Sequence, residues 1–565
     1  MRWTLKPKPD ATNTKDLARE LHVEPLVAQL LLQRGIGSYD EARKFFRPQL
    51  SDLHDPFLMK DMEKAVDRIR NAIDTEENIL VYGDYDVDGT CAVALLSSYL
   101  KQNYPNVAVY IPDRYTEGYG VSLQGIDYAE DNGITLIIAL DCGVKAIKQV
   151  AYAKEKGIDF IVCDHHRPGK ELPEAVAVLD PKRQDCDYPY DELCGCGIGF
   201  KLAQALAQGS GDVTEELRPY LDLVATAIGA DIVPITGENR VLAYHGLKVI
   251  NTHPRPGFKA IINTINKSSL SITDVVFIIA PRINAAGRMK HGEYAVNLLT
   301  ETEDEMARVS AEAIEKFNTD RRQLDREITK EALAQIEHNQ EEERFTSVVF
   351  SENWHKGVIG IVASRLTETY YRPTLVFTES GDKLAASARS VKGFDVYNAL
   401  EGCAEYIEQF GGHKYAAGLT LAKEQYDSFK EKFEEIVKDS IDPNLLVPEL
   451  LIDSQISIDQ LRPKLYRILK QFAPFGPGNR APVFMAKQLR DSGYAKGVGE
   501  EDKHLKLNVV QEGGVMGGIG FSLGNKLELV KGGKPFDAVF CLDENEWQGK
   551  VSLQLRLKDI RESAG

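Results

Sequence analysis

Three kinds of hydrophobic pattern succeed one another along the chain. Between about residues 72 and 235, short unbroken apolar runs at 79–82, 134–140 and 160–163 alternate with stretches of helical periodicity. A strand buried on both faces reads as a continuous apolar run. Such runs alternating with helices predict a parallel sheet covered on both sides. From 293 to 356 there is no glycine or proline, and the first two-thirds are rich in Glu, Ala, Arg, Lys and Gln. That composition predicts one long interdomain helix over about 300–340, its charges mostly a solvated face. Buried strands are then expected at 346–350 and 374–377, in a second α/β unit reaching about 440. Beyond 448 the pattern changes to short alternating segments such as 504–510 and 551–557, parted by Gly513-Gly514 and Gly532-Gly533. This predicts a small β-barrel of the OB kind.

The first 70 residues read as polar and helical, with a turn-rich passage from Pro48 to Pro56. The expected division is therefore an N-terminal helical segment (1–70), an α/β domain (71–295), a connecting long helix (296–344), a second α/β domain (345–443) and an OB-like barrel (444–565). A length of 565 residues agrees with several cores rather than one. Apolar content of 43% and charged content of 27% are those of an ordinary globular chain. No apolar run approaches a membrane span and no apolar leader follows Met1, so a cytoplasmic location is expected.

The eight cysteines show no paired CxxC spacing and read as small apolar fillers, the close pair Cys194-Gly-Cys196 included. A net charge of −17 weighs mildly against a nucleic-acid partner. A basic groove can coexist with acidic outer faces, and carboxylates that bind a cation count as negative until it arrives.

Each of the three apolar runs in the first α/β domain ends in chemistry: Asp84-Tyr85-Asp86-Val87-Asp88-Gly89, Asp141-Cys142-Gly143 and Asp164-His165-His166. Open α/β sheets bind ligands at the carboxyl ends of their strands. Crowded carboxylates repel, and desolvating them is costly without a cation, so this edge is expected to hold one or two divalent metals. Asp84 and Asp86, two apart, face the same way in extended backbone. Asp88 is either a further ligand or the cap of the helix opened by Gly89-Thr90. Asp141 can bridge two ions. One of His165 and His166 is expected to be a ligand, leaving the other for substrate. Asp231 adds a carboxylate after the apolar helix at 221–228. Any one of these aspartates reads equally well as a turn or cap residue, but the whole set at three strand ends does not. Mixed oxygen and nitrogen ligands suit Mn²⁺ better than Mg²⁺, with Mg²⁺ possible.

These motifs, with Ala230-Asp231-Ile232-Val233-Pro234, resemble in order the four motifs of the DHH phosphoesterase superfamily. Within it the chain is similar to the RecJ family of bacterial single-strand-specific DNA exonucleases. Pro281-Arg-Ile-Asn-Ala-Ala-Gly-Arg288, Trp354-His-Lys-Gly-Val-Ile-Gly360, Ser387-Ala-Arg389, Gly411-Gly-His413 and Phe475-Gly-Pro-Gly-Asn479 extend the resemblance over about residues 50–560. Some members carry a further C-terminal domain, and this chain is expected to stop after the barrel.

The resemblance implies a DHH domain and a DHHA1 domain joined by the long helix and followed by the barrel. It makes Asp84, Asp86, Asp141, His165 and Asp231 ligands of two metal ions. Asp164 would support them and His166 would contact the scissile phosphate. It places Ser387, Arg389 and Arg114 around a 5′-terminal phosphate, and it implies 5′→3′ removal of mononucleotides in DNA repair and recombination. Single-strand-binding protein and a RecQ-type helicase are implied as partners by the family alone, and a monomer is expected.

From the residues themselves, Arg282 and Arg288 flank a turn-like Asn-Ala-Ala-Gly. They are read as phosphate forks, with an ion pair to neighbouring acids as the alternative for each. Gly412 beside His413 lets backbone N–H groups approach a phosphate. Trp354 and His355 either stack in the cleft or belong to the core. The rival functions are a phosphoesterase for short oligonucleotides, a pyrophosphatase, and a non-catalytic DNA-binding scaffold. The barrel and the extra arginines disfavour the first two, and the complete set of motif acids disfavours the third.

Overall fold

A computed structural model describes residues 1–208, 213–547 and 549–563. The N-terminal segment opens not with a helix but with strand β1 (Arg2–Leu5), which pairs in parallel with Glu449–Ile452. The helices Ala11–Glu20, Pro25–Leu32 and Tyr39–Phe46 follow. Their apolar faces, including Leu17, Leu30 and Phe45, join the core of the barrel with Phe472, Phe484 and Phe540. Helix Met62–Asp74 instead buries Met62, Val66 and Ile69 against the first sheet. The first 70 residues thus serve two cores, because each amphipathic helix must bury its apolar stripe on a partner.

The first α/β domain is built on β2 (Asn78–Gly83), β3 (Val107–Tyr110), β4 (Ile134–Leu140), β5 (Asp159–Cys163) and β6 (Ala177–Leu179). All pair in parallel in the order β3-β2-β4-β5-β6. Ile79, Val81 and Ile138 pack into one core on one face, and Leu80, Ile137 and Phe160 into another on the opposite face. This two-sided burial is why the strands read as unbroken apolar runs.

The long helix runs Asp304–His338, 35 residues, or about 50 Å. Its first half gives Ala311 and Ile314 to the first domain's core, and its second half gives Ile328, Ala332 and Ile336 to a core shared with Val349 and Trp354. The second domain carries β7 (Ser347–Phe350), β8 (Thr374–Ser380), β9 (Lys383–Arg389), β10 (Gln409–His413) and β11 (Ala416–Ala422) in the order β10-β11-β9-β8-β7. Only β7 and β8 pair in parallel.

The last unit is a barrel closed where Phe484–Asp491 pairs with both Phe536–Trp547 and His504–Gln511. Among the described residues no helix is long and apolar enough to cross a membrane. All eight cysteines are free.

Candidate metal centre

Four neighbouring parallel strands, β2, β4, β5 and β6, are each followed at once by an aspartate: Asp84, Asp141, Asp164 and Asp180. Asp84 and Asp141 flank the point where the strand order reverses, which is where open α/β sheets form their ligand crevice. Asp141 adopts a left-handed backbone at φ 60°, a conformation that costs a non-glycine residue about 1–3 kcal/mol. Its N–H bonds the Cys163 carbonyl at 2.9 Å. The start of helix Gly195–Ala207 presses so closely that a Cβ on Gly195 would lie 2.5 Å from the Asp141 Cβ.

The acids converge on His165. Its Nε2 lies 3.2 Å from Asp141 Oδ1, 3.6 Å from Asp231 Oδ2 and 3.9 Å from Asp88 Oδ2. His165, Asp141 and Asp88 are buried, while the Asp231 side chain keeps 28% exposure. The cap of helix Val87–Lys101 is Asp86, whose carboxylate accepts from the Gly89 N–H at 3.1 Å. Asp88 therefore does not cap its own helix. It accepts from the N–H groups of Gly195 and Cys196, both at 2.7 Å, at the start of another helix. Cys194 and Cys196 are packed in the core, and Cys194 Sγ accepts from the Gly197 N–H.

Protein groups leave this cluster unsatisfied. Asp84 Oδ2, Asp141 Oδ1 and His165 Nε2 are buried without a hydrogen-bond partner among the described residues. Burial, reinforced by neighbouring carboxylates, pushes Asp84 and Asp141 well above the carboxylate range. The same causes push Asp88 up to about 6 and Asp231 up to about 8. Burial holds His165 down at about 3, so its imidazole is neutral and free to ligate. Orphaned acceptors, mutually raised carboxylates and a neutral imidazole are what a divalent cation relieves, so the residues fit a metal. Ligand atoms of Asp141, His165 and His166, and of Asp88, His165 and Asp231, form two groups each spanning no more than 4.8 Å.

Asp164 plays a different part. It accepts from the N–H groups of Val144, His165 and His166 at 2.9, 2.8 and 3.1 Å, and from His166 Nδ1 at 2.7 Å. Burial opposes its charge, but these bonds and the His166 charge hold it down at about 2. Burial likewise opposes a charged His166, yet Asp164 outweighs it and lifts the imidazole to about 9. The far nitrogen of His166 lies 3.1 Å from the Tyr119 hydroxyl. Tyr119 was missed in the sequence because its loop has no periodicity. Asp180, fully buried with an unpartnered Oδ2, was missed although it follows the apolar run 175–179 just as the other three acids follow theirs.

A basic group stands against this centre. Burial, then Arg114, Arg389 and Arg321, lowers Arg288 to about 9, and burial followed by Arg114 lowers Arg389. Arg288 donates to the Gly357 carbonyl at 3.0 Å, and Arg389 to Ser387 Oγ at 3.0 Å and the Ala388 carbonyl at 2.7 Å. Arg114 stacks 4.6 Å over the Tyr85 ring. Arg321 of the long helix was not singled out in the sequence. His413, on the exposed end of β10, is lowered by burial and then by the nearby charges of Arg389 and His166. Gly412 has φ 146°, and a Cβ there would meet the Ala416 carbonyl at 2.4 Å.

One expectation is corrected, and for two residues the structure selects between the alternatives the sequence leaves open. Asn284 to Gly287 is not a turn but the middle of helix Ala280–Met289. Six residues of helix turn Arg282 and Arg288 to well-separated faces. Arg282 consequently pairs with Glu315 of the long helix at 2.5 Å and caps the Ile278 carbonyl at 2.7 Å. Trp354 is a core residue, 5% exposed and bonded to Glu331, whereas His355 stands edge-on to Tyr115.

Comparison with known proteins agrees with this layout. Residues 78–228 match the DHH family N-terminal domain, 343–439 the DHHA1 domain and 452–559 the RecJ OB domain. The chain is 35% identical to the single-stranded-DNA-specific exonuclease RecJ of Bacillus subtilis, over 99% of this chain and 70% of that one. It is 32% identical to the protein of the same description from Salmonella typhimurium, over 98% of each. The crystal structure of RecJ in complex with Mn²⁺ from Thermus thermophilus superposes with a TM-score of 0.86 at 26% identity, covering 100% of this chain and 80% of that one. With a DHH sheet, a DHHA1 sheet and a RecJ barrel in one chain, and full-length identity above 30%, this protein belongs to the RecJ family.

Proposed function

We infer that the chain is a metal-dependent, single-strand-specific DNA exonuclease that removes 5′-mononucleotides in the 5′→3′ direction, serving DNA repair and recombination. The observation that carries this reading is the juxtaposition of an acidic centre, in which Asp84 Oδ2 and Asp141 Oδ1 find no hydrogen-bond partner among the described residues, with the buried guanidinium groups of Arg288 and Arg389, which among the described residues donate only to carbonyl and hydroxyl oxygens. A terminal phosphate and the adjoining phosphodiester would satisfy the second while cations satisfy the first.

Asp84, Asp86, Asp141, His165 and Asp231 would hold two divalent ions, Mn²⁺ in preference to Mg²⁺. Asp88 is near enough to join them but is already committed to two backbone N–H groups. When bound, the ions would supply Lewis-acid activation of water and stabilisation of the charge that builds on the phosphate. Asp164 fixes the His166 ring and keeps it charged, so that Nε2–H is available to a non-bridging phosphate oxygen as negative charge builds. Tyr119 holds that same nitrogen until substrate takes its place. Arg389, Ser387 and Arg114 would bind the 5′-terminal phosphate, with Arg288 and His413 on the phosphates beside it. Partners beyond single-stranded DNA, namely single-strand-binding protein and a RecQ-type helicase, rest on the family alone.

The test is a long single strand labelled at either end, incubated with Mn²⁺ beside a blunt duplex and a dinucleotide. Early release of the 5′ label as mononucleotide with the duplex spared is expected. Cleavage of the dinucleotide alone would favour a short-substrate phosphoesterase, and binding without cleavage a scaffold.

A further inference from the structure

A loop of the barrel reaches the segment that follows Asp231. Phe475-Gly-Pro-Gly-Asn479 lies against Pro234–Thr236, three to five residues beyond Asp231. The Ile235 N–H donates to the Pro477 carbonyl at 2.8 Å. A Cβ on Gly476 would fall 2.5 Å from Ile235 Cγ1, and one on Gly478 2.9 Å from Thr236 Cγ2. The two glycines are thus spacers that let one backbone lie directly on the other.

The turn just before that contact is strained. Ile232, next to Asp231, is β-branched, 65% exposed and left-handed at φ 62°, a strained conformation for such a residue.

The base of the loop is itself anchored. Arg240 is 4% exposed and bonds no carboxylate among the described residues. It donates to the carbonyls of Phe45 (2.8 Å), Phe472 (2.9 Å) and Ala473 (3.0 Å), which ties the first domain to the N-terminal helices and the barrel at once. Asn479, 1% exposed, closes the loop by donating to the Phe472 and Pro474 carbonyls at 2.8 and 2.9 Å.

We propose that the Phe475–Asn479 loop of the barrel is a positioning element for Asp231, bracing the strained Ile232 turn so that the carboxylate stays in the metal centre. This rests on the reading of Asp231 as a metal ligand. It makes metal affinity a property of barrel docking as well as of the sheet edge.

The test is Mn²⁺ titration of the metal-free full chain by electron paramagnetic resonance, with near-ultraviolet circular dichroism to verify the fold. Asp231→Asn should weaken Mn²⁺ binding, and Gly476→Ala should do so by about tenfold, the order seen when residues that orient metal ligands are changed. Gly476→Ala in the Asp231→Asn background should add no further loss. Gly476→Ala/Ile235→Ala, which removes the clash, should restore affinity to within a few-fold of the parent. Ile235→Ala alone loosens the contact without adding bulk and should cost affinity severalfold, so the proposal stays testable if Gly476→Ala does not fold. Unchanged affinity in a folded Gly476→Ala or Ile235→Ala chain, or losses that multiply in the double variant, would overturn the positioning role. Unchanged affinity in Asp231→Asn would overturn the ligand reading instead.

Discussion

The acidic centre at the sheet edge and the arginine group at the domain seam are built on the same principle with opposite signs. In the first, buried carboxylates raise one another's pKa, and Asp84 Oδ2 and Asp141 Oδ1 have no partner. In the second, Arg288 is lowered to about 9 by burial and by three other arginines. Lys201 shows the contrasting case. Lys201 has no exposure, yet its ammonium finds Glu238 at 3.1 Å and the His54 carbonyl at 2.6 Å. Like charges gathered out of water are destabilising unless a counter-charge arrives. Their presence in two adjoining places therefore marks sites for a cation and an anion.

Breaking the acidic side should have the largest effect. Asp141→Ala is expected to lower cleavage by about 10³-fold or more, since the residue lies at the heart of the group that would hold both ions. Removing a like charge should leave the metal-free fold intact or slightly more stable. The stabilisation that the parent gains on adding Mn²⁺, about 2.7 kcal/mol at 100 times the dissociation constant, should shrink, and with it the rise in thermal midpoint. Calorimetry with and without metal checks both halves, and a variant that fails to fold would remove Asp141 from the ligand set.

Asp164→Asn should cost about 10–100-fold through the loss of His166 orientation and charge, with Mn²⁺ affinity changed far less than rate. On the basic side, Arg389→Ala should lose about 10–100-fold on 5′-phosphorylated strands, the worth of one or two charge-assisted hydrogen bonds. On 5′-hydroxyl strands the loss should be much smaller. Equal losses would take Arg389 out of a terminal-phosphate pocket. Arg282→Ala should have the smallest effect on turnover, within about threefold, because its guanidinium is already spent on Glu315 and the Ile278 carbonyl. A loss as large as that of Arg389→Ala would restore it to the substrate site.

What could be read in the sequence follows from what is local. The strand-end acids were legible because a parallel strand buried on both faces leaves an unbroken apolar run, and the residue after it is the one the sheet presents to ligands. Asp180 carried the same signal and was passed over only because no histidine or glycine accompanied it.

What the sequence does not show is non-local. Arg2–Leu5 is a strand because its partner, Glu449–Ile452, lies at the other end of the chain, and four residues carry no pattern that names such a partner. Gly287 suggested a turn. Its actual use is close approach, since a Cβ there would sit 2.8 Å from the carbonyl of Tyr85, the residue between Asp84 and Asp86 in sequence, where the Ala280–Met289 helix docks. Asp88 reads in the sequence as either a ligand or the cap of its own helix, whereas the N–H groups it serves are 107 and 108 residues away.

The most direct test of the account is anomalous diffraction at the manganese edge from crystals grown with Mn²⁺. The account predicts peaks within coordination distance, about 2–2.5 Å, of carboxylate oxygens of Asp84, Asp86, Asp141 and Asp231 and of His165 Nε2, absent in Asp141→Ala. No peak at this edge of the sheet, or one that persists unchanged in that variant, would contradict it.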